Sequence, residues 1–435
     1  MKAIAKYIGV FFATLIILIC LLVLSCTIPQ SKIYENSKAS ADYMTKHETD
    51  FYTPLLSEDN FELHDYADAI WLSIAYSVDS AHPLKSALEG KYYNGFGDRL
   101  YNMNFYRDTI NKNLEANTYY YRYWHGPIMF LRPLLTQFTY MDIRYMNVLL
   151  LTGLCFVLII LLQKKLDVKA AVIFAAALLA VNFFVVPYCI EYVPMFYIML
   201  ISSILVLYLK DKQKMAYLFL VIGICSNFFD FLTVETISLC VPLVIHFYDL
   251  YLKGETEDSK KNLRYCIRLC VLWICGYLFT WVSKWLMASV VLRQNVMTNV
   301  MESISQRSVG KVDELSFFEQ LKNSLILNIR GVFPFRMTKG PAGTIIMLLV
   351  VLALIFVIWF LYRKNKLEKV SIVFLVIAFI PYVRYMVMSN HSYAHSWFTF
   401  RAQISTIMAI FFAVVVNLDG ELIQKELKRK RKRKP

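Results

Sequence analysis

Apolar residues in this chain are grouped into repeated runs of about twenty residues, separated by short polar turns. A helix of that length crosses about 30 Å of hydrocarbon, so each run predicts a membrane-spanning helix. The pattern predicts an all-α polytopic membrane protein with about ten transmembrane helices. The predicted spans are 8–24, 145–163, 170–188, 194–208, 215–231, 233–252, 263–292, 343–362, 370–388 and 399–418.

The first apolar run follows two lysines, as the apolar core of a secretory signal does. A cleaved signal peptide and a retained signal-anchor both fit this pattern. The run lacks a small-residue cleavage motif and many spans follow it, which favours a first transmembrane helix, a signal-anchor, over residues 1–28. In either case the next segment is delivered outside the membrane.

Residues 29–144 contain no apolar run of span length and are rich in Tyr, Asn and Asp. This stretch predicts a long first extracytoplasmic loop with short interfacial helices. Within it, 65–78 has the apolar spacing of an amphipathic helix. The aromatic stretch 119–127 is typical of a membrane interface. Residues 128–135 are too short to cross and contain Arg132-Pro133, which indicates a re-entrant or interfacial segment.

Residues 145–418 are then a bundle of about nine transmembrane helices, and residues 419–435 form a basic tail. The composition also indicates a membrane protein, because 58% of the residues are hydrophobic and only 18% are charged, against about 25% charged in soluble domains. The net charge of +14 is densest at 428–434, beside the last span, which favours contact with anionic lipid headgroups and argues against nucleic acid. The basic residues between spans fall on one side, so we expect a plasma-membrane, multi-pass protein with both termini cytoplasmic.

Ionisable side chains near membrane depth are costly and commonly functional. In this topology most of them lie in the first outer loop or at the outer ends of spans, which predicts an active face on the extracytoplasmic side. The catalytic candidates are Asp65 and Asp68. The substrate-binding candidates on the same side are His64, Trp124, His125, Arg132, Glu191, Asp230, Glu235, Arg384, His391, His395 and Arg401.

Each candidate also has a purely structural interpretation. Asp65 and Asp68 suit the first turn of a helix, where they would cap it and complement its dipole. Trp124-His125 fits an interfacial anchor, and Arg384 and Arg401 fit snorkelling toward headgroups. Asp230 and Glu235 are able to tie spans together by pairing with Lys284 or Arg293. These alternatives explain each residue separately. They do not explain why the candidates all lie on the same predicted side of the membrane.

No nucleotide-binding or hydrolase motif is present. His391 and His395 have the i, i+4 spacing of metal ligands on a helix, but the Ser and Tyr between them fit hydrogen bonding better. No cofactor is therefore predicted, and a divalent cation is kept as an alternative. Since an enzyme at the outer face has no ATP, it needs an activated donor within the membrane, such as a lipid-linked phosphosugar.

With about ten spans, a long first outer loop and an acidic residue at the start of a loop helix, the chain resembles the GT-C class of integral membrane glycosyltransferases. The resemblance is architectural and covers most of the chain in outline. It implies a polyprenyl-phosphate-linked or polyprenyl-diphosphate-linked sugar donor and a cell-envelope glycan or lipid acceptor. It also implies that Asp65 or Asp68 deprotonates the acceptor hydroxyl, and that residues near Arg384, His391, His395 and Arg401 hold the donor phosphate.

In that class the acidic residue follows the first span closely, whereas about forty residues intervene here. Both aspartates therefore stay open as the base. A rival function is a translocase for a lipid-linked glycan, for which Arg268 and Lys284 in one span are the only hints. A second rival is a non-catalytic envelope assembly protein, and a glycan polymerase or ligase is a near neighbour of the main hypothesis.

Overall fold

The computed structural model of this chain describes residues 2–47, 53–54, 62–63, 65–95, 102–298, 301 and 315–432. Nearly all of the described secondary structure is helical, which confirms the all-α fold class. Two short antiparallel strands, β1 (Thr53–Pro54) and β2 (Glu62–Leu63), form a two-residue ladder. This ladder leads directly to the helix that carries the two candidate aspartates.

The helices of the first half of the chain include the predicted short helices between residues 29 and 144. They are α1 (Lys2–Cys26), α2 (Tyr34–His47), α3 (Asp65–Tyr76), α4 (Pro83–Glu89), α5 (Asn102–Lys112), α6 (Ile128–Leu135), α7 (Tyr140–Lys165), α8 (Val168–Ala180) and α9 (Val193–Val206). The predicted helix at 65–78 is thus present as α3. It differs from the amphipathic prediction because every residue of α3 except Tyr66 is buried.

The second half of the chain is also helical. Its helices are α10 (Lys212–Phe229), α11 (Thr236–Leu252), α12 (Ser259–Leu292), α13 (Phe317–Arg330), α14 (Gly340–Tyr362), α15 (Ser371–Val387), α16 (Ser389–Ala394), α17 (Ser396–Thr399), α18 (Gln403–Val415) and α19 (Gly420–Lys432). Short 3₁₀ segments follow α8 at Phe183–Tyr188 and precede α18 at Phe400–Ala402.

Five helical stretches among the described residues are long and apolar enough to cross a membrane, as expected of a membrane protein. They are Ile4–Cys26, Tyr140–Lys165, Ser259–Leu292, Gly340–Tyr362 and Ser396–Val415. Four further apolar helices, α8, α9, α11 and α15, are shorter than this length. In the predicted span 170–188, Asn182 adopts a left-handed φ of 53° and divides the segment into α8 and a 3₁₀ turn. The count of ten spans stays a prediction.

The chain divides into two compact units. The first unit comprises Met1–Leu158, Asn182–Leu239 and Leu269–Gly310. Here α1 packs against α4, α6 and α10, and α3 packs against α2, α5 and α6. The core is a continuous apolar cluster that includes Leu72, Trp124 and Phe228. The short loop helices are therefore part of the first unit's core.

The second unit comprises Ile159–Val181, Cys240–Arg268 and Lys311–Pro435. In this unit α18 packs against α8 and α15, and α13 packs against α16. Helix α13 was not predicted, although its start carries a capping box in which the Ser316 side chain accepts from the Glu319 amide and Glu319 accepts in return. That pattern is readable in the sequence and marks the helix start.

Candidate functional site

The site with the most polar chemistry in the first unit lies where α3 and α7 begin. Asp65 is the first residue of α3, and Asp68 follows it one turn later. Both carboxylates are fully buried. Each faces Arg144, in the second turn of α7, whose Nη2 lies 2.5 Å from Asp65 Oδ1 and 3.9 Å from Asp68 Oδ2. The ring of Tyr140 supports the same guanidinium, with its centroid 4.1 Å from the guanidinium carbon.

Asp68 uses both of its carboxylate oxygens as acceptors. Oδ2 accepts from the Tyr140 hydroxyl at 2.7 Å and from the Ile190 amide at 3.0 Å. Oδ1 accepts from the Glu191 amide at 3.1 Å. Burial raises the pKa of Asp68 to about 6, although Arg144, Tyr140 and the backbone donor act in the opposite direction. Asp68 therefore anchors the turn that precedes α9 to the start of α3.

Asp65 differs from Asp68 in one respect that matters for chemistry. Its Oδ1 accepts from Arg144, but its Oδ2 is buried and has no hydrogen-bond partner among the residues that the structure describes. An unpartnered carboxylate oxygen at a buried site is costly, because the group has lost its water without replacing it. Of the two candidates, Asp65 is the one with an open acceptor position for a ligand hydroxyl.

An apolar cavity of about 470 Å³ adjoins this cluster within the first unit. Its walls come from α6, α7 and α9, and include Phe130, Leu134, Leu150, Ile198 and Ile201. Two lining residues connect it to the acidic cluster: Ile143 precedes Arg144 in the chain, and Ile190 donates its amide to Asp68. A polar pair also lines the cavity, with the Tyr197 hydroxyl 3.3 Å from Asn147 Oδ1. The cavity is suited to an aliphatic chain.

An aromatic cluster lies one turn along α3 from Asp68. The Trp71 ring contacts Phe231 at a centroid distance of 5.1 Å and His125 at 5.4 Å. His125 Nε2 lies 2.8 Å from the Tyr120 carbonyl, so this nitrogen carries the proton. Burial, with the charge of Lys284, lowers the pKa of His125 to about 3 and keeps the ring neutral. His125 is therefore a neutral, packed side chain.

The turn between α10 and α11 brings two more candidates into the first unit. Asp230 and Glu235 are both buried at this turn. Asp230 Oδ1 accepts from the Thr233 amide at 3.1 Å and from the Thr233 hydroxyl at 2.6 Å. The alternative interpretation that pairs Asp230 with Lys284 is not observed, since the Lys284 ammonium donates to the carbonyls of Leu88 at 2.8 Å and Ala87 at 3.1 Å.

Trp124 and Arg132 have structural contacts that account for them. The Trp124 indole donates to the Thr280 carbonyl at 2.8 Å and its ring lies 5.2 Å from the Lys284 ammonium. The fully buried Arg132 guanidinium donates to the backbone carbonyls of Ser25, Ile28 and Ala75. This ties the ends of α1 and α3 to α6, so Arg132 holds these helices together. Glu191 contributes its backbone amide to Asp68, and His64 lies outside the described residues.

The second unit contains the basic candidates. Arg384 donates to the Ser392 hydroxyl at 2.9 Å, and its Nη2 lies 3.3 Å from His391 Nδ1. The His391 and His395 rings are 4.6 Å apart. Arg401 is buried in the following turn, donates to the Trp397 carbonyl at 3.0 Å and packs over Phe400. Arg384 of α15, His391 of α16 and His395, the C-cap residue of α16, are thus brought together.

Three polar residues of α13 support this basic cluster and were not predicted. They are buried at i, i+4 spacing: Gln320, Ser324 and Asn328. Asn328 donates to the Ser392 carbonyl at 3.0 Å and accepts from the Thr399 hydroxyl at 2.6 Å. The regular spacing of polar residues after a capping box is a sequence signal for such a helix face. Arg144 and Tyr140 had no comparable signal, because a charge at the start of an apolar run is also a common topology marker.

The fold and the site together define a helical membrane protein with a buried acidic cluster beside an apolar cavity. Within the part of the chain that the structure describes, no group of three or more His, Cys, Asp or Glu side chains is arranged to hold a metal ion. No known protein family, curated protein or solved structure matches the chain.

Proposed function

We propose that this protein is a membrane glycosyltransferase of GT-C type, which transfers a sugar from a polyprenyl-phosphate-linked donor to a cell-envelope acceptor at the outer face of the plasma membrane. The observation that carries the proposal is the buried Asp65 Oδ2, which has no hydrogen-bond partner among the described residues. The acidic cluster to which Asp65 belongs adjoins the apolar cavity through Ile190, which lines the cavity and donates to Asp68. A carboxylate with a free oxygen is the group a sugar acceptor needs as its base. An apolar cavity that adjoins the same acidic cluster is the feature a lipid-linked donor needs.

In the proposed reaction, Asp65 Oδ2 takes the proton from an acceptor hydroxyl while the hydroxyl oxygen attacks the anomeric carbon of the donor. The bond between that carbon and the phosphate oxygen breaks, and the lipid phosphate leaves with the electron pair. A phosphate leaves without protonation, so one carboxylate is sufficient. Arg144 holds Asp65 through Oδ1 and so fixes the orientation of the open oxygen.

The cavity suits the isoprenoid part of the donor. Apart from Asn147 and Tyr197, its lining is apolar, and removing an aliphatic chain from water is favourable in proportion to the area buried. Exposed apolar residues line it at Phe130, Leu150 and Ile201, so a lipid chain has access from the hydrocarbon side. The role of Arg384, His391, His395 and Arg401 as phosphate-binding residues stays a prediction from the resemblance.

Replacing Asp65 and Asp68 separately by asparagine tests the proposal. We expect Asp65→Asn to prevent removal of the proton from the acceptor hydroxyl. One sugar should then be missing from the envelope glycans, while the amount of the protein in the membrane stays normal. Asp68→Asn should reduce the amount of folded protein. The NH2 group of asparagine would face a backbone N–H that now donates a hydrogen bond to Asp68, and two donors cannot pair. Glycan composition and membrane protein levels are measured in the same cells.

Unchanged glycans in the Asp65→Asn strain, with the protein present at its normal level, would contradict the role of Asp65 as base. The matched control is Asp142→Asn, which removes an exposed carboxylate near the start of α7 that caps Thr139 and does not contact Arg144. This control should leave the glycan composition unchanged.

A non-catalytic envelope assembly protein is the second candidate, and one observation favours it. The Asp65–Arg144 pair is fully buried, and buried ion pairs also serve to fix a packing arrangement. That function predicts that Asp65→Asn and Arg144→Gln lower protein levels equally and change no glycan beyond that loss. The catalytic function predicts a lost sugar in Asp65→Asn at full protein level.

A further inference from the structure

The last described helix of the second unit, α19, has basic and apolar positions on opposite sides. It spans Gly420–Lys432 and contains six basic residues against two acidic ones, so it carries a net positive charge. The basic positions 425, 428 and 432 share one helix face through their i, i+3, i+7 spacing, and the apolar positions 422, 423 and 427 fall on the other side. A short basic helix of this pattern is typical of a helix that lies in a membrane surface.

The described side chains of α19 are mostly not covered by the rest of the protein. Leu422 is exposed, at 37%, and Ile423 is half-buried. Lys425 and Lys428, on the basic side, are also exposed. Both an apolar and a cationic surface are therefore open to a partner.

Backbone hydrogen bonds fix the start of α19 beside the end of α14. The Asp419 amide donates to the Tyr362 carbonyl at 2.7 Å, and the Lys364 amide donates to the Asn417 carbonyl at 2.8 Å. These two bonds join the segments in an antiparallel bridge. Asp419 then caps α19, because its Oδ1 accepts from the Leu422 amide at 3.1 Å. The level at which α14 ends therefore also sets the level at which α19 begins.

The end of α14 has the features of a membrane interface. Helix α14, Gly340–Tyr362, is long and apolar enough to cross a membrane. Near its end the Arg363 guanidinium lies 5.0 Å from the centre of the Trp359 ring, and aromatic and basic residues are typical of the headgroup level. The exposed side chains of Lys366 and Lys369 follow. Since α19 is joined to this end, it begins at the headgroup level of the same leaflet.

We propose that α19 lies in the headgroup layer at the C-terminal end of α14 and binds anionic phospholipid. Leu422 contacts the upper part of the acyl chains, and Lys425 and Lys428 contact lipid phosphates. Apolar burial and attraction to anionic lipid act together in such helices. The sequence indicates only the charge, whereas the structure adds the helix and its fixed start. This inference does not depend on the proposed glycosyltransferase activity.

The test uses the full-length protein in lipid nanodiscs of phosphatidylcholine alone or mixed with phosphatidylglycerol. Hydrogen exchange of the α19 amides is measured by mass spectrometry, because a helix bound to a surface opens less often than a free one. We expect exchange to be at least about tenfold slower with phosphatidylglycerol. High salt should reduce this difference, since it screens exposed charges.

Paired variants separate lipid binding by α19 from a general effect of charge. Lys425→Gln/Lys428→Gln should bring the exchange rate with phosphatidylglycerol to within about threefold of the rate with phosphatidylcholine alone. The matched control is Lys85→Gln/Lys112→Gln, which removes two exposed lysines from α4 and α5 in the first unit. This control loses the same charge and should keep the slow exchange of α19.

Three results would overturn the proposal. One is equal exchange of the α19 amides of the unaltered protein in the two lipids. Another is an equal loss of slow exchange in the α19 variant and in its control. The third is slowing by added RNA or DNA in phosphatidylcholine nanodiscs without slowing by phosphatidylglycerol, which would assign the helix to nucleic acid. None of these measurements requires a sugar donor, so the outcome is separate from that of the glycan assay.

Discussion

Asp65 and Asp68 lie one helical turn apart in α3, but their carboxylates have different hydrogen-bond partners and therefore different roles. Asp68 accepts hydrogen bonds from Tyr140 and from two backbone amides, which makes it a structural anchor. Asp65 holds one hydrogen bond from Arg144 and keeps its second oxygen open. The sequence pattern alone left both residues as candidates for the base. The hydrogen-bond partners, which come from distant parts of the chain, separate them.

The pKa of Asp68 predicts a specific pH dependence. Burial raises this pKa from 3.8 in the unfolded chain to about 6 in the folded protein. The folded state therefore holds the proton more tightly, so the stability contributed by protonated Asp68 is fully present below pH 4 and is lost as pH rises through 6. This difference between the folded and unfolded pKa of Asp68 corresponds to about 3 kcal/mol of stability.

We expect the melting temperature of the unaltered protein to fall relative to that of Asp68→Asn between pH 4 and about pH 6.5. The measurement is thermal unfolding of both proteins in detergent across this range. Because the two proteins share every other titrating group, their difference isolates Asp68. A difference that stays constant with pH would show that Asp68 does not titrate in this window.

At the level of helices, the backbones of α10 and α12 approach each other closely in the first unit. A Cβ added to Gly276 would lie 2.4 Å from the Leu220 carbonyl oxygen, and one added to Gly223 would lie 2.1 Å from the Trp273 carbonyl oxygen. Small residues at such crossings let two helix backbones approach in a membrane protein. The sequence contains these glycines but does not indicate which helix each one faces.

This packing predicts a strong effect of a single added side chain. Gly276→Val should destabilise the protein by more than about 3 kcal/mol, since the rigid backbone opposite cannot move away as a side chain would. Gly153→Val is the matched control, because nothing lies within 4 Å of a Cβ at that position of α7. The measurement is the amount of folded protein recovered in detergent. Equal recovery of the two variants would refute the close crossing of α10 and α12.

The apolar cavity is also a product of helix arrangement, since α6, α7 and α9 each supply part of its lining. Ile198→Trp on α9 should fill the cavity and reduce sugar transfer from a long-chain lipid donor by about tenfold or more, at a normal protein level. Leu205→Trp places the same ring on an exposed position of α9 outside the cavity and should have no effect. Transfer is measured in membranes through envelope glycan composition. Equal activity in the two variants would remove the cavity from the proposed function.

For the whole molecule, the distribution of basic residues predicts which loops face the cytoplasm. Lys164, Lys165, Lys210, Lys212 and Lys214 fall on one predicted side, and the first outer loop falls on the other. The five helices of span length agree with a chain that crosses a membrane several times. The direction of these crossings is a separate prediction.

Cysteine labelling in intact cells tests this orientation. A cysteine placed at His82, an exposed side chain between α3 and α4, should react with a membrane-impermeant thiol reagent. A cysteine at Lys212, exposed at the start of α10, should be protected until the cells are opened. The unaltered protein controls for its nine native cysteines, most of which lie in apolar helices. The reverse labelling pattern would invert the predicted topology.

The sequence by itself determined the helical class, the presence of several helices long and apolar enough to cross a membrane, and the start of α3, because these depend on local periodicity and on the length of apolar runs. Helix α7 begins at Tyr140, five residues before the predicted span. The Ser316 capping box is a sequence signal for the start of helix α13, although this helix was not predicted. The acidic cluster could not be predicted from the sequence. Asp65, Arg144 and Ile190 meet only because α3, α7 and the turn before α9 pack together.

Only the tertiary structure decided which ionisable residues hold helices together and which have an oxygen that accepts no hydrogen bond. Arg132 and Lys284 are occupied by backbone carbonyls, which no pattern of residue types reveals. Within the described part of the chain, no donor reaches Asp65 Oδ2 or Asp230 Oδ2. Hydrogen bonding of a buried group depends on residues far away in sequence, so it is fixed only when the helices are packed.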